Sequence, residues 1–296
     1  MNSIITAKAL ASKTTFAGRN WFYDFRELPQ SCDERKFEKT STKLSTRYSK
    51  ITKAWDKDRN SEWICRIYLS AKMIMTATLQ LNALAYGHDK NLRLISPYLA
   101  YYSFLSLLRG IVYTLPEVKW DDGQLVRISH SKAIELACAH IASFDKVLAN
   151  SIKQKTIELK AARELISYRS PSSGDRNIPT FQDIETVATL LAELAQFNSE
   201  ILEASIIKKA DGKTFEFRGN YITDLSDVTI EGINFFDKED LYRLNYLKRK
   251  YPLPPNILHI MTEGHVEDFF GAWIADEDTE DTFNPDEGWQ LIFDIP

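Results

Sequence analysis

Glycine and proline are scarce, 11 and 10 residues in 296. A chain so poor in turn formers fits badly to an all-β sandwich or barrel, whose many short strands need frequent turns. Cysteine is scarcer still. Cys32, Cys65 and Cys138 are odd in number and far apart, which gives neither a disulfide framework nor a zinc ligand set. Cys65 and Cys138 fall inside apolar helical patterns and read as small core residues. There is no glycine-rich phosphate loop, no Gly-x-Ser-x-Gly elbow, no His-Glu-x-x-His helix and no Cys-x-x-Cys pair, so the enzyme classes built on those motifs lose their support. Long hydrophobic runs are missing too. The best, Leu94 to Leu108, is shorter than the ~20 residues that span a bilayer, and Arg109 closes it. The N-terminus lacks the continuous apolar core of a signal peptide. The expectation is a cytoplasmic protein with no membrane partner and no cofactor.

Basic residues are absent from one region. Tyr251 to Pro296 holds eleven acidic residues and no Lys or Arg, and since the whole chain carries -4, the first 250 residues carry a net +7. The body is mildly basic and the tail acidic. The run Asp276, Glu277, Asp278, Glu280, Asp281 reads either as a solvated segment or as an anionic surface for a basic protein partner. His259, Glu263 and His265 lie close in sequence, but a loop after two prolines supports no coordination geometry, so no metal site is assigned.

Helical periodicity dominates what remains. Phe37, Leu44, Tyr48, Ile51 and Trp55 form a stripe from Asp33 to about Asp56. Lys36, Lys39, Lys43, Arg47 and Lys50 repeat at spacings of 3, 4, 4 and 3 on another face. That second stripe is either a solvated helix face or a ridge that tracks successive phosphates. Glu62 to Tyr86 is a long apolar helix with Gly87 as its expected C-cap. Ser96 to Gly110 follows, apolar on nearly every side, with Ser96 as expected N-cap and Pro97 in the first turn. The two form a predicted antiparallel hairpin at the centre of a bundle. A helix from Ser131 to about Leu148 is expected to break at Ala149–Ser151 before a basic helix to Tyr168 that carries Lys153, Lys160 and Arg163. Thr180 with Asp183 resembles a capping box opening a helix to about Ile207. Beyond it come β-like runs at Thr214–Arg218 and Val228–Ile230, a helix over Lys238–Lys250, and a strand-like run from Trp289 to Ile295. Trp21, Phe22, Tyr23 and Phe25 are an aromatic cluster expected to dock on the body. The fold class is therefore mainly α: a helical bundle over residues 1–209 with a small α+β C-terminal appendage over 210–296.

The run Ser96-Pro97-Tyr98-Leu99-Ala100-Tyr101-Tyr102-Ser103-Phe104 through Arg109 resembles the tyrosine-bearing helix of HEPN-type proteins (higher eukaryotes and prokaryotes nucleotide-binding). Ile128-Ser129-His130-Ser131-Lys132 sits where a His-containing helix start follows in that family, and Arg163 to Arg169 sits where a later arginine-bearing helix follows. The likeness covers about residues 62 to 176. It implies a four- to five-helix bundle that often dimerises and a place in toxin–antitoxin or antiphage modules, where members act as metal-independent ribonucleases or without catalysis. Active members carry Arg, four to six residues, then His. Here none of His88, His130, His140, His259 and His265 follows an arginine at that spacing; Arg127 and His130 are two residues apart.

Metal-free RNA cleavage needs a base at the 2′-hydroxyl and cations at the phosphate. The candidate catalytic set is His130 as acid or base, Arg169 and Arg176 at the phosphate, and Tyr168 stacking on a nucleobase or donating its hydroxyl. The candidate nucleic-acid-binding residues are Lys36, Lys39, Lys43, Arg47, Lys50, Lys153, Lys160 and Arg163. The plainer alternatives are an ordinary first-turn histidine at 130, loop-bonded arginines at 169 and 176, and a structural Arg109 paired with Glu135 or Glu164. RNA is one expected partner, in a homo-oligomer or as a complex subunit. The competing reading is a non-catalytic regulatory subunit that engages a protein through the bundle and the acidic tail.

Overall fold

A computed structural model describes residues 23–121, 123–176, 178, 183–210, 215–250, 253–276 and 282–295. They form a mainly helical bundle with a small α+β appendage near the C-terminus. Its elements are α1 (Leu28–Ser31), α2 (Glu34–Thr52), α3 (Lys57–Asp89), α4 (Ser96–Tyr113), α5 (His130–Phe144), α6 (Lys146–Arg169) and α7 (Ile184–Lys209). The appendage holds α8 (Gly219–Ser226), strands β1 (Asp227–Ile230) and β2 (Ile233–Phe236), α9 (Lys238–Lys250), α10 (Ile257–Ile260) and α11 (Glu263–Gly271). The hydrophobic core is continuous across residue 209, since Phe217, Leu244, Ile257 and Phe270 join the same cluster as Phe104 and Phe197.

The expected hairpin is α3 against α4. α4 also packs on α5, α6 and α7, so its apolar sides all find partners. Ser70 Oγ donates to the Gly110 carbonyl at 2.9 Å, tying the two helices together where glycine leaves α4 without a side chain. Arg66, buried to 1% exposure, caps the far end of α4. Its Nε donates to the Tyr113 carbonyl at 2.8 Å, and its two terminal nitrogens donate to those of Val118 (2.8 Å) and Leu115 (2.5 Å). The Tyr113 carbonyl is the last of α4 and has no intrahelical partner, and Leu115 and Val118 follow just beyond the helix end. The guanidinium lies 4.0 Å over the Trp63 ring and is paired with Glu62 at 3.2 Å.

The most enclosed helix is α7. Every residue from Ala188 to Ile206 is buried, including Glu193, Gln196, Asn198, Glu200 and Glu203. Buried polar groups must be hydrogen-bonded, and these are. Glu193 accepts three backbone N–H bonds, from Arg26, Glu27 and Leu28, at 2.6, 3.0 and 2.7 Å, and so fixes the start of α1. Asn198 bridges His140 Nε2 (3.1 Å) and the Thr114 hydroxyl (2.8 Å). Glu203 accepts from Asn256 at 2.7 Å.

Several local expectations are corrected. Gly87 does not cap α3; the helix runs on to Asp89, and Asn91 takes the left-handed conformation instead (φ 57°). The N-cap of α4 is Ile95, because a 3-10 turn at Arg93–Ile95 feeds directly into the helix. The break expected at Ala149–Ser151 falls at Asp145, whose carboxylate accepts from the N–H groups of Val147 and Leu148 and starts α6. Asp183 is left-handed (φ 58°) and makes no side-chain cap to α7, while Thr180 lies outside the described residues. The strand-like run at Trp289–Ile295 has no strand to pair with. It is irregular after a 3-10 turn at Pro285–Gly288, with Ile292 and Phe293 buried. The aromatic cluster does dock: Tyr23 stacks on Phe293 at 4.5 Å and Phe25 meets Phe197 edge-on; Trp21 and Phe22 lie outside the described residues. In the expected run Thr214–Arg218, residues 215–218 are irregular and Thr214 lies outside the described residues. Val228–Ile230 does pair with β2, in the register Val228 to Phe235 and Ile230 to Ile233.

Candidate functional site

Three helices bring His130 its neighbours. Ser129 caps α5 by accepting from the Lys132 N–H, which sets His130 as the first residue of the helix, facing α4. Its Nδ1 lies 3.0 Å from the Tyr101 hydroxyl, and the Tyr102 ring meets the imidazole edge-on at 6.0 Å. Arg163, from α6, lies over both tyrosine rings at 5.2 and 5.9 Å, within cation–π range. Arg109 donates to the Ile128 carbonyl at 2.8 Å, holding the segment before α5. It therefore binds a carbonyl rather than Glu135 or Glu164. Tyr98 completes the α4 face by accepting from Ser167 at 3.0 Å.

Charge here is unbalanced. Arg109, Lys160 and Arg163 all act on His130, while Glu164 is the carboxylate beside them, 3.2 Å from Arg163 and 3.7 Å from Lys160. Burial and then the three cations hold the His130 imidazole below its ordinary pKa. Burial raises the pKa of Tyr101. A neutral imidazole beside a protonated phenol is thus the resting state near pH 7.

The other sequence candidates scatter. Tyr168 is 74% exposed, and Arg169 and Arg176 are exposed; none of the three shares the His130 hydrogen bond. On α2, Lys39, Lys43 and Lys50 are exposed, but Lys36 pairs with Asp145 (3.2 Å) and Arg47 with Glu117. Lys153 is exposed on α6. Of the acidic run, Glu277, Asp278, Glu280 and Asp281 lie outside the described residues. Among the described residues no group of three or more His, Cys, Asp or Glu side chains could hold a metal ion, and no helix is long and apolar enough to cross a membrane.

Comparison with family models, curated proteins and solved structures finds no match for this chain.

Sequence reasoning missed a second site. Between α3, α9 and α11 lies a cleft of about 900 Å³. At its floor the Tyr68 hydroxyl donates to Asp240 Oδ1 at 2.6 Å, and Lys72 Nζ donates to both Asp240 oxygens at 2.8 and 2.6 Å. His265 stacks on Tyr68, rings 3° from parallel and 5.5 Å apart. Burial, chiefly, lowers the His265 pKa to about 4, so its ring is neutral. Nδ1 lies 3.0 Å from the Ile260 carbonyl, which can only accept, so Nδ1 carries the proton and Nε2 is an acceptor. The available signal was the helical spacing of Tyr68, Lys72 and Thr76, one face of α3 that mixes ring and charge. Its partner Asp240 is 172 residues from Tyr68.

Proposed function

We propose that this chain is an RNA-associated helical protein of HEPN-like character, of the kind that serves bacterial antiphage or toxin–antitoxin modules, and that RNA docks at the His130 cluster. The observation that carries this reading is the convergence of Arg109, Lys160 and Arg163 on a half-buried, neutral histidine with one carboxylate in company. Three cations around one carboxylate leave an excess of positive charge that attracts a phosphate. Tyr102 and Tyr168 offer rings on which an unpaired base can stack. Lys39, Lys43, Lys50 and Lys153, exposed elsewhere on α2 and α6, add to the basic charge of the body.

The same geometry supports proton transfer. A neutral imidazole can take the 2′-hydroxyl proton while the arginines hold the phosphate. The missing Arg-to-His spacing makes RNA binding the primary claim and cleavage the secondary one. Filter binding of single-stranded RNA over a salt series tests the first; saturable binding that weakens steeply with salt is expected, and no affinity even at low salt overturns it. Cleavage is tested by His130→Ala, which should abolish it at unchanged melting temperature. Cleavage that survives removes His130 from the mechanism.

A further inference from the structure

The cleft between α3, α9 and α11 differs in character from the His130 cluster. Its volume, about 900 Å³, lies in the range that encloses small organic ligands. Its sides are aromatic: Tyr242, Tyr246, Phe269, Trp273 and Phe283 line it, and Trp273 and Tyr242 are more than half exposed. Large rings left in water at the mouth of a cleft are surfaces awaiting a planar partner.

Polar groups narrow the choice. His265 lines the cleft, and with its Nδ1 proton committed to the Ile260 carbonyl its Nε2 is an acceptor, suited to an N–H donor. The charges are otherwise matched. Lys72 is taken by Asp240 and Asp237, and Arg243 by Asp268, with Arg249 and Glu239 adding one of each sign. Carboxylates thus outnumber cations by one around the opening, which disfavours an anion. Exposed Glu239 and half-exposed Asp237 at the rim suit hydroxyl donors.

We propose that this cleft binds an uncharged nucleoside: the base lies against Trp273 and Tyr242 with an N–H directed to His265 Nε2, and the sugar hydroxyls meet Asp237 and Glu239. A terminal nucleoside of RNA offers the same rings and hydroxyls, but it brings phosphates that the surplus carboxylate repels. The inference is independent of the RNA reading, because its residues lie outside the His130 cluster.

Equilibrium dialysis of the full chain with adenosine, guanosine, cytidine and uridine, and with AMP and a diadenosine dinucleotide, decides it. Saturable one-to-one binding of at least one nucleoside is expected, with AMP and the dinucleotide at least about tenfold weaker. Trp273→Ala, at a position 60% exposed, should weaken the nucleoside by about tenfold through lost stacking. His265→Phe preserves the ring against Tyr68 but removes the acceptor, and should weaken it comparably; if that variant fails to fold, Trp273→Ala alone decides. Arg163→Ala should leave nucleoside binding unchanged. The proposal is overturned if no nucleoside binds at millimolar concentration, if AMP binds as well as adenosine, or if Trp273→Ala changes nothing.

Discussion

The His130 cluster and the α3–α9–α11 cleft are built from the same residue types: tyrosine, histidine, arginine or lysine, and carboxylate. They differ in bookkeeping of charge. At His130, three cations face one carboxylate and the histidine is partly open to water. In the cleft, Lys72 and Asp240 satisfy each other, Tyr68 donates to the same carboxylate, and His265 is 5% exposed. A group with an excess of cations over carboxylates has affinity to give to an anion, whereas a matched and buried group is committed to holding the fold and offers a ligand mainly shape and rings. The two sites also meet at one helix: Leu99 lines the cleft, and Tyr98, Tyr101 and Tyr102 form the other face of α4.

If the cleft floor is structural, breaking it should be the costliest change. Asp240→Ala leaves the Tyr68 hydroxyl unpartnered and the Lys72 ammonium with only the longer 3.7 Å pairing to Asp237, and a loss of about 3 kcal/mol in urea unfolding is expected, after discounting for the partial exposure of Lys72. A loss below about 0.5 kcal/mol would erase the distinction between the sites.

Acid should come next. His140, with folded pKa about 4, and His265, also about 4, titrate near 6.5 when unfolded. Their folded values are depressed, so the stability they contribute is whole above pH 6.5 and drains away as pH falls toward 4. Each should cost on the order of 2 kcal/mol between pH 7.5 and 5. His265 is packed among Tyr68, Lys72, Arg243 and Asp268. His265→Phe should flatten its share of the slope, and His130→Ala should flatten it less; equal effects would mean the two histidines are equally buried.

At the other site the loss should fall on affinity rather than on stability. Arg163→Ala should lower RNA affinity about tenfold and reduce the salt slope by about one, with little change in melting temperature. The smallest effect is expected on α2, where Lys43→Ala should cost less than about threefold in RNA affinity. A larger loss there than at Arg163 would move the RNA surface to α2.

Much of the bundle was legible in the sequence. The periodicity of α2, α3 and α4 marks their buried faces, and the apolar girth of α4 predicts partners on every side. The centrality of α7 was harder to read. Its Glu193, Gln196, Asn198, Glu200 and Glu203 give it the look of a solvent-facing helix, and only the backbone amides of residues 26–28, with His140 and Asn256, explain how such groups are buried. The break at Asp145 was hidden because Asn150 and Ser151 are the stronger turn formers by composition, while the decisive event was a carboxylate finding two free amides. The strand at Trp289–Ile295 failed because alternation needs a neighbour to become a sheet. Of the candidate site, His130 and Arg163 were visible locally. Tyr101 and Arg109 were visible as features of α4 but not as partners of His130, and the cleft was invisible because it forms only when α9 returns to α3.

Arg66 makes the α3–α4 pairing discrete. Its three carbonyl acceptors, on residues 113, 115 and 118, sit where the chain leaves α4. Sliding one helix along the other by a turn, about 5.4 Å, would carry all three beyond the reach of a rigid planar fork. Greasy helix faces tolerate such slippage; a guanidinium stacked on Trp63 does not. The side chain therefore acts as an indexing pin that selects one register, and with it the placement of Leu99 beside the α3 face of the cleft.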